Sequence, residues 1–436
     1  MGWEQPELEQ KIVHYRLADR FAKRSRLDTR RRCQILTNLG NSLSQYGRIV
    51  EAIAIWDQAL ELIPDFGMAR GNRARELTWY AGLIHDSGHK ALLLSEAHDE
   101  LTRTLDLPLD GQTRAAFRST LGEIKSQVPE RWLKGKATSI EASLGRSKAE
   151  RLYRKWCLRH RLFLNDLNDL GPVPIAAADV LSLPGIVLPI RRPPHFHVFF
   201  NQLKQEYVSA RYLYYEGIGS RRSHFSDRWV ALTNTLDYPV HSLSAEKVKL
   251  SFRSVYSLLD KIAYFLNRYL KIGLSDTSVT FRTIWYRGTG KSKRLRSEIH
   301  KPLNYPLRAL FSMSKDIHER SAGFADDTEP QANVVANMRN HLEHKYLMIR
   351  EMAGDDFVAA DVEESSASAS EDAVGMAASR AEFESRTLWL LRTVRAALIY
   401  LPMAVHVEEH EGRRARPKNE RVGTIELVCL EDRWKT

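Results

Sequence analysis

Arg339, Asn340, His341, Glu343 and His344 fall within six consecutive residues. Three of those residue types, Arg, Asn and His, together suit scission of a phosphodiester by a neighbouring 2′-hydroxyl. Histidine titrates near neutrality, so His344 could take the hydroxyl proton or return one to the leaving oxygen. An arginine such as Arg339 pairs bidentately with a phosphate and stabilises the charge that grows on it in the transition state. Asn340 would orient the phosphate or the imidazole. No step of this chemistry calls for a metal ion or a cofactor.

Such a group needs a rigid element, and the surrounding periodicity predicts a helix over about residues 331–351. With Leu342 at 0° and steps of about 100°, Val335, Met338 and Ile349 gather around it as a core stripe. Asn340 falls near 160° and His344 near 200°, away from that core, with Arg339 near 60° and Glu343 near 100°. The outward pair is then either plain surface or one wall of a cleft completed by something else. Spacing alone does not choose, because Arg192 and His197 stand at the same interval with Pro193 and Pro194 between them.

Further helices are expected to carry this one. Phe196 to Gly217 forms one helix, and Val248 to Tyr269 a second, with Ser244 as N-cap and Gly273 just past its end. A third covers about 304–320, and a fifth runs from Ala378 to about Glu409, kinked or ended by Pro402. Thr424 to Leu430 alternates like a short strand. Residues 355–372 are acidic and serine-rich and read as a disordered insertion, one that could fold over a basic cleft.

The N-terminal half has a different grammar. Leu36, Leu39 and Leu43 form a stripe around Gly40, a turn follows at Tyr46-Gly47-Arg48, and Ala52, Trp56 and Ala59 recur before Pro64. That is the pattern of a tetratricopeptide unit. Gly67 to Leu105 is compatible with a second, and a third pair through Val128 departs further from the pattern. Single repeats cannot bury their faces alone, so these units must stack, and short arrays of this kind bind a protein partner or an internal segment. From Gly135 to Pro194 prolines and glycines punctuate runs too apolar for a free linker, so this connector is expected to be ordered between the two halves.

The 436 residues carry a formal charge of +11, with 43% apolar and 27% charged residues, the balance of a folded protein of two or three domains. Basic residues cluster at Lys23, Arg24, Arg26 and Arg30 to Arg32, at Arg287, Lys291, Lys293, Arg294 and Arg296, and at Arg413, Arg414, Arg416 and Lys418. The middle cluster, beside Phe281, Trp285 and Tyr286, has the make-up of an RNA-binding loop in which cations hold the backbone and a base stacks on a ring; a plain surface loop fits equally. Glu206 and Arg211 could line the same cleft or form a local ion pair. His85-Asp86-x2-His89 invites a metal phosphohydrolase reading but lies within the repeats, His341 and His344 lack carboxylate partners at ligand spacing, and His195 and His197 are expected to cap a helix. No stretch reaches the roughly 20 apolar residues of a membrane span, no export segment opens the chain, and Cys33, Cys157 and Cys429 fit buried thiols, so a cytoplasmic location is expected.

Long strings of the chain are similar to one lineage of the HEPN superfamily in which tetratricopeptide repeats precede the HEPN domain. They include Arg154-Lys155-Trp156-Cys157-Leu158, Asn168-Asp169-Leu170-Gly171-Pro172 and Asn201-Gln202-Leu203-Lys204-Gln205-Glu206-Tyr207, together with Arg339-Asn340-x3-His344 on a late helix. The resemblance implies a metal-independent endoribonuclease without cofactors, homodimeric through the HEPN domain, with two motifs meeting across a cleft. It also implies a connection to prokaryotic defence or stress. Some members only bind RNA or dock to a partner, which leaves a non-catalytic scaffold as the alternative. The expected architecture is all-α: a basic helix over 1–30, repeats over 31–134, a connector over 135–192, a HEPN bundle over 193–409 with the acidic segment at 355–375, and a basic tail over 410–436.

Overall fold

A computed structural model describes residues 3–133, 135–189, 192–234, 239–288, 292–301, 303–318, 330–351, 376–417, 422–425 and 427–435, the side chains of 138 and 330–333 excepted. The acidic insertion, Lys291 and Lys418 lie outside the described residues.

Helices α1 (Pro6–Arg24), α2 (Thr29–Tyr46) and α3 (Ile49–Leu62) open the chain. The Asp28 carboxylate accepts the Arg31 N–H to start α2, and Gly47, at φ +93°, ends it in the left-handed conformation that a helix C-terminus favours. α2 and α3 approach so closely that a Cβ on Gly40 would lie 2.5 Å from the Trp56 indole nitrogen, which donates to the Thr37 carbonyl at 3.2 Å. A second hairpin follows in α4 (Gly67–Leu83) and α5 (Ser87–Leu105), then α6 (Gly111–Gln127) and the short α7 (Glu130–Leu133). The first basic cluster does not load one helix but straddles the α1–α2 turn, where Lys23 and Arg32 both pair with Asp19.

The connector is folded. It holds α8 (Lys148–His160) and three short 3-10 turns, and Leu162, Phe163, Leu164 and Leu167 are buried. Its chief anchor is Arg395, which donates to Asp169 at 2.6 Å and to the carbonyls of Phe163 and Asn165 at 2.6 and 2.9 Å.

The C-terminal bundle is built on the hairpin of α9 (His195–Ile218) and α10 (Leu243–Tyr269), with α11 (Tyr305–His318), α12 (Pro330–His344) and α13 (Arg380–Ala415) packed on it. Phe252, Leu259, Ile262, Leu391, Val394 and Leu398 are completely buried there, each contributing about 1.5–3 kcal/mol. The molecule is mostly helical, as expected, yet two strand pairs interrupt it. The antiparallel β1 (Tyr286–Arg287) and β2 (Arg294–Leu295) form the neck of the basic loop, and β3 (Leu347–Arg350) and β4 (Met376–Ser379) pair in parallel.

Several boundaries differ from expectation. α12 ends at His344, so Ile349 joins the core from strand β3 and not from the helix. Ser242, not Ser244, caps α10; the Ser244 hydroxyl instead accepts from Arg380 at 3.2 Å. α13 continues through Pro402 to Ala415 because neighbours on both sides of the proline are buried, and packing outweighs the lost backbone bond. Arg413 and Arg414 therefore belong to its last turn, where the C-terminal dipole favours cations. Thr424 to Leu430 forms no strand among the described residues, and Cys429 is exposed. α13 is also long and apolar enough to cross a membrane, against the expectation that no stretch is; 78% of the window concerned is buried inside the fold, which accounts for its apolarity.

The halves share one continuous core. Arg308 of α11 donates to the Tyr46 carbonyl at 3.0 Å, Arg16 and Arg48 both reach Asp316, and the Tyr400 hydroxyl accepts the Val50 N–H at 3.0 Å.

Candidate nucleic-acid cleft

α12 turns Val335, Met338 and Leu342 into the bundle and leaves Asn340 and His344 exposed, with Arg339 partly covered. The wheel orders these residues as the structure does. Arg339 extends over the Tyr256 ring, its guanidinium carbon 5.6 Å from the ring centre, and donates to the Asn340 side chain at 3.3 Å. His341 is tied to the Asn337 carbonyl at 2.8 Å, and Glu343 faces Arg253 at 3.5 Å, so both are structural supports of the helix end. The His344 side chain makes no hydrogen bond or ion pair with any described residue.

Arg339 and Asn340 line a cavity of about 1020 Å³ between α10, α11, α12 and the β1–β2 loop. Lys293 and Arg296 of the loop line the same cavity, as do Arg282, Lys315, Asp260 and His318. Five cations thus face one carboxylate, a field that draws in an anion. Lys315 is also held by Glu9 of α1 at 2.7 Å, which offsets part of its charge and ties the N-terminal half to a lining residue of the cleft. Lys293 lies 3.8 Å from the centre of the Tyr286 ring.

Burial shapes the titration of this wall. It pushes His318 down to about 4, helped by the charges of Arg282 and Arg339, so the ring is neutral at physiological pH. Burial raises the Asp260 carboxyl, opposed by the Phe281 N–H bond of 2.8 Å and by Arg339. Tyr256 is pushed up to about 12, again chiefly by burial, and remains a phenol. Desolvation, then Arg287, lowers Arg296.

The other expected residues scatter. Arg287 lies outside the cavity lining, 73% exposed and paired with Glu298, while Arg294 is exposed on β2. Phe281 and Trp285 are core residues at 0% and 1% exposure, joined by an indole N–H to carbonyl bond of 2.7 Å, so neither offers a face to a base. Glu206 forms an ion pair with Lys261, and Arg211 is buried against Asp179 in the connector; neither lines the cleft. Asp86 serves as the N-cap of α5 and His89 pairs with Asp166 at 3.2 Å, while α9 starts at Pro194 without a side-chain cap. Sequence reasoning missed Arg282, Asp260 and His318, whose only signal is a polar residue interrupting or ending an apolar stripe.

A helical bundle carrying Arg, Asn and His late in the chain, on a helix that borders a basic cleft, defines a HEPN-type protein. Residues 187–408, just over half of the chain, match the LA2681-like HEPN family, and the protein belongs to it. No curated protein and no solved structure matches the chain.

Proposed function

We propose that the protein is a metal-independent endoribonuclease whose active centre is assembled from Arg339, Asn340 and His344 of two copies of the chain. The observation that carries this reading is the cleft itself, in which Arg339 and Asn340 stand among cations, with His344 exposed one turn further along α12 and outside the cavity lining. In the reaction, the 2′-oxygen attacks the adjacent phosphorus while an imidazole takes its proton. The bond from phosphorus to the 5′-oxygen breaks, and a protonated imidazole supplies the proton that the leaving oxygen needs. The products are a 2′,3′-cyclic phosphate and a 5′-hydroxyl.

Arg339 and His344 are five positions apart, so on one helix they diverge by about 140° and cannot converge on the same phosphorus. A second α12, presented to the exposed face of Asn340 and His344, supplies the missing partner. The N-terminal hairpins bind a protein partner or restrain the nuclease, and α1, packed on α2 of the first hairpin, touches the cleft through the Glu9 contact with Lys315. Cys33 and Cys157 are buried free thiols, in keeping with a reducing cytoplasm. A defence or stress role follows from kinship alone.

A second reading, RNA binding without cleavage, is favoured by one contact: Arg339 lies on Tyr256 inside the cavity, directed away from His344. Arg339→Ala and His344→Ala separate the two. For the nuclease, each lowers single-turnover cleavage by about 10²–10⁴-fold, and light scattering reports a dimer for both variants. A strictly monomeric wild type contradicts the composite centre.

A further inference from the structure

The segment from Gly219 to Asn234, between α9 and α10, displays aromatic rings that the fold does not use. Trp229 is 99% exposed and Phe225 73%. Phe225 sits in a defined turn. Asp227 accepts the His224 N–H through one oxygen and the Leu243 N–H through the other, both at 2.9 Å, which fixes the turn to the start of α10. Trp229, two residues beyond Asp227, adopts φ +63°, in the left-handed region that a residue with a β-carbon enters at a cost in energy. Further along the α9–α10 connection, the Val240 N–H donates to the Ile349 carbonyl of β3 at 2.7 Å. β3 begins three residues after His344.

The charge carried by the segment itself is mostly basic. Arg221, Arg222 and Arg228 lie within the segment, and its single acid, Asp227, is directed inward as the clamp just described. Arg221 is committed to Glu384, whereas Arg222 and Arg228 are exposed and form no ion pair with a described residue. Exposed rings interleaved with arginines that pair with no described residue fit single-stranded nucleic acid, whose bases stack on the rings while phosphates meet the guanidinium groups. A protein partner would face Val230 and Leu232 as well, but would have to match the two exposed guanidinium groups beside them.

We infer that Phe225 and Trp229, with Arg222 and Arg228, form a second contact for single-stranded RNA, a stacking platform that holds the strand beyond the cleft. The inference rests on the ribonuclease reading and extends it to residues outside α12. A fluorescent 20-nucleotide RNA with every 2′-hydroxyl methylated resists cleavage and is titrated against the full-length protein, its W229A, W229L and W229Y variants, and the double variant R222A/R228A. Alanine and leucine at position 229 weaken binding roughly fivefold to a hundredfold, and tyrosine restores most of it. The double arginine variant lowers the slope of log affinity against log salt by about 1.4. With unmodified RNA, W229A raises KM and leaves kcat within about twofold of wild type.

Unchanged binding in all position-229 variants, with wild type binding and cutting RNA, overturns the platform and leaves the ribonuclease reading standing. Variants that bind RNA normally but lose the dimer by light scattering make the loop a protein contact and overturn the platform. Wild type that neither binds nor cuts RNA overturns the ribonuclease reading and the platform with it.

Discussion

At the scale of residues, the cleft is legible in pH dependence. His318 is held near 4 in the fold against about 6.5 in the unfolded chain, so between those values the unfolded chain binds more protons. Stability therefore falls as pH drops from about 6.5 toward 4 and is fully present above that window. Urea midpoints at pH 7.5 and pH 5 should diverge less for His318→Gln than for wild type; equal divergence would place the ring elsewhere. The exposure of Arg339, Asn340 and His344 was readable in the sequence because one helical period orders all three. Asp260, Arg282 and His318 were not, because each comes from a different stretch and meets α12 only after the bundle closes. The aromatic rings misled for a related reason: composition beside the basic loop does not say which face of Trp285 the core takes.

At the scale of elements, polar groups buried between helices decide stability. Asp169 and Arg395 are essentially inaccessible and 2.6 Å apart, and Tyr80 adds a bond to Asp169 at 2.9 Å. Asp169→Ala leaves a buried guanidinium with carbonyl partners only, and calorimetry should show a loss of about 3–5 kcal/mol. Glu76 is the opposite case. Burial pushes its carboxyl up to about 7, against the hydroxyl bond from Ser44 at 2.7 Å, so the fold holds a proton that the unfolded chain releases between about pH 4.5 and 7. Stability is lost as pH rises through that window, and Glu76→Gln should gain about 1–3 kcal/mol at pH 8 and close to nothing at pH 4.5 by denaturant melts. The helices themselves were plain from periodicity. Their ends were less so: two serines compete for the α10 cap, tertiary packing carries α13 past Pro402, and strands of four residues alternate too briefly to be seen.

At the scale of the whole molecule, the N-terminal hairpins are part of the body that forms the cleft. Glu9 reaches a cleft lysine, and Arg16 and Arg48 meet Asp316 on α11, so a partner that loosens α1 would disturb the wall of the cleft. Sequence patterns gave each half separately and could not show this joint, since its contacts bring together residues 300 positions apart. Whether this assembled cleft cuts RNA by proton transfer alone is read most directly from the ends left when purified protein is incubated with RNA in excess EDTA, beside Arg339→Ala and His344→Ala. Wild type alone should give fragments, bearing 2′,3′-cyclic phosphate and 5′-hydroxyl ends. Cleavage that EDTA abolishes, or that leaves 5′-phosphate ends, would contradict that chemistry.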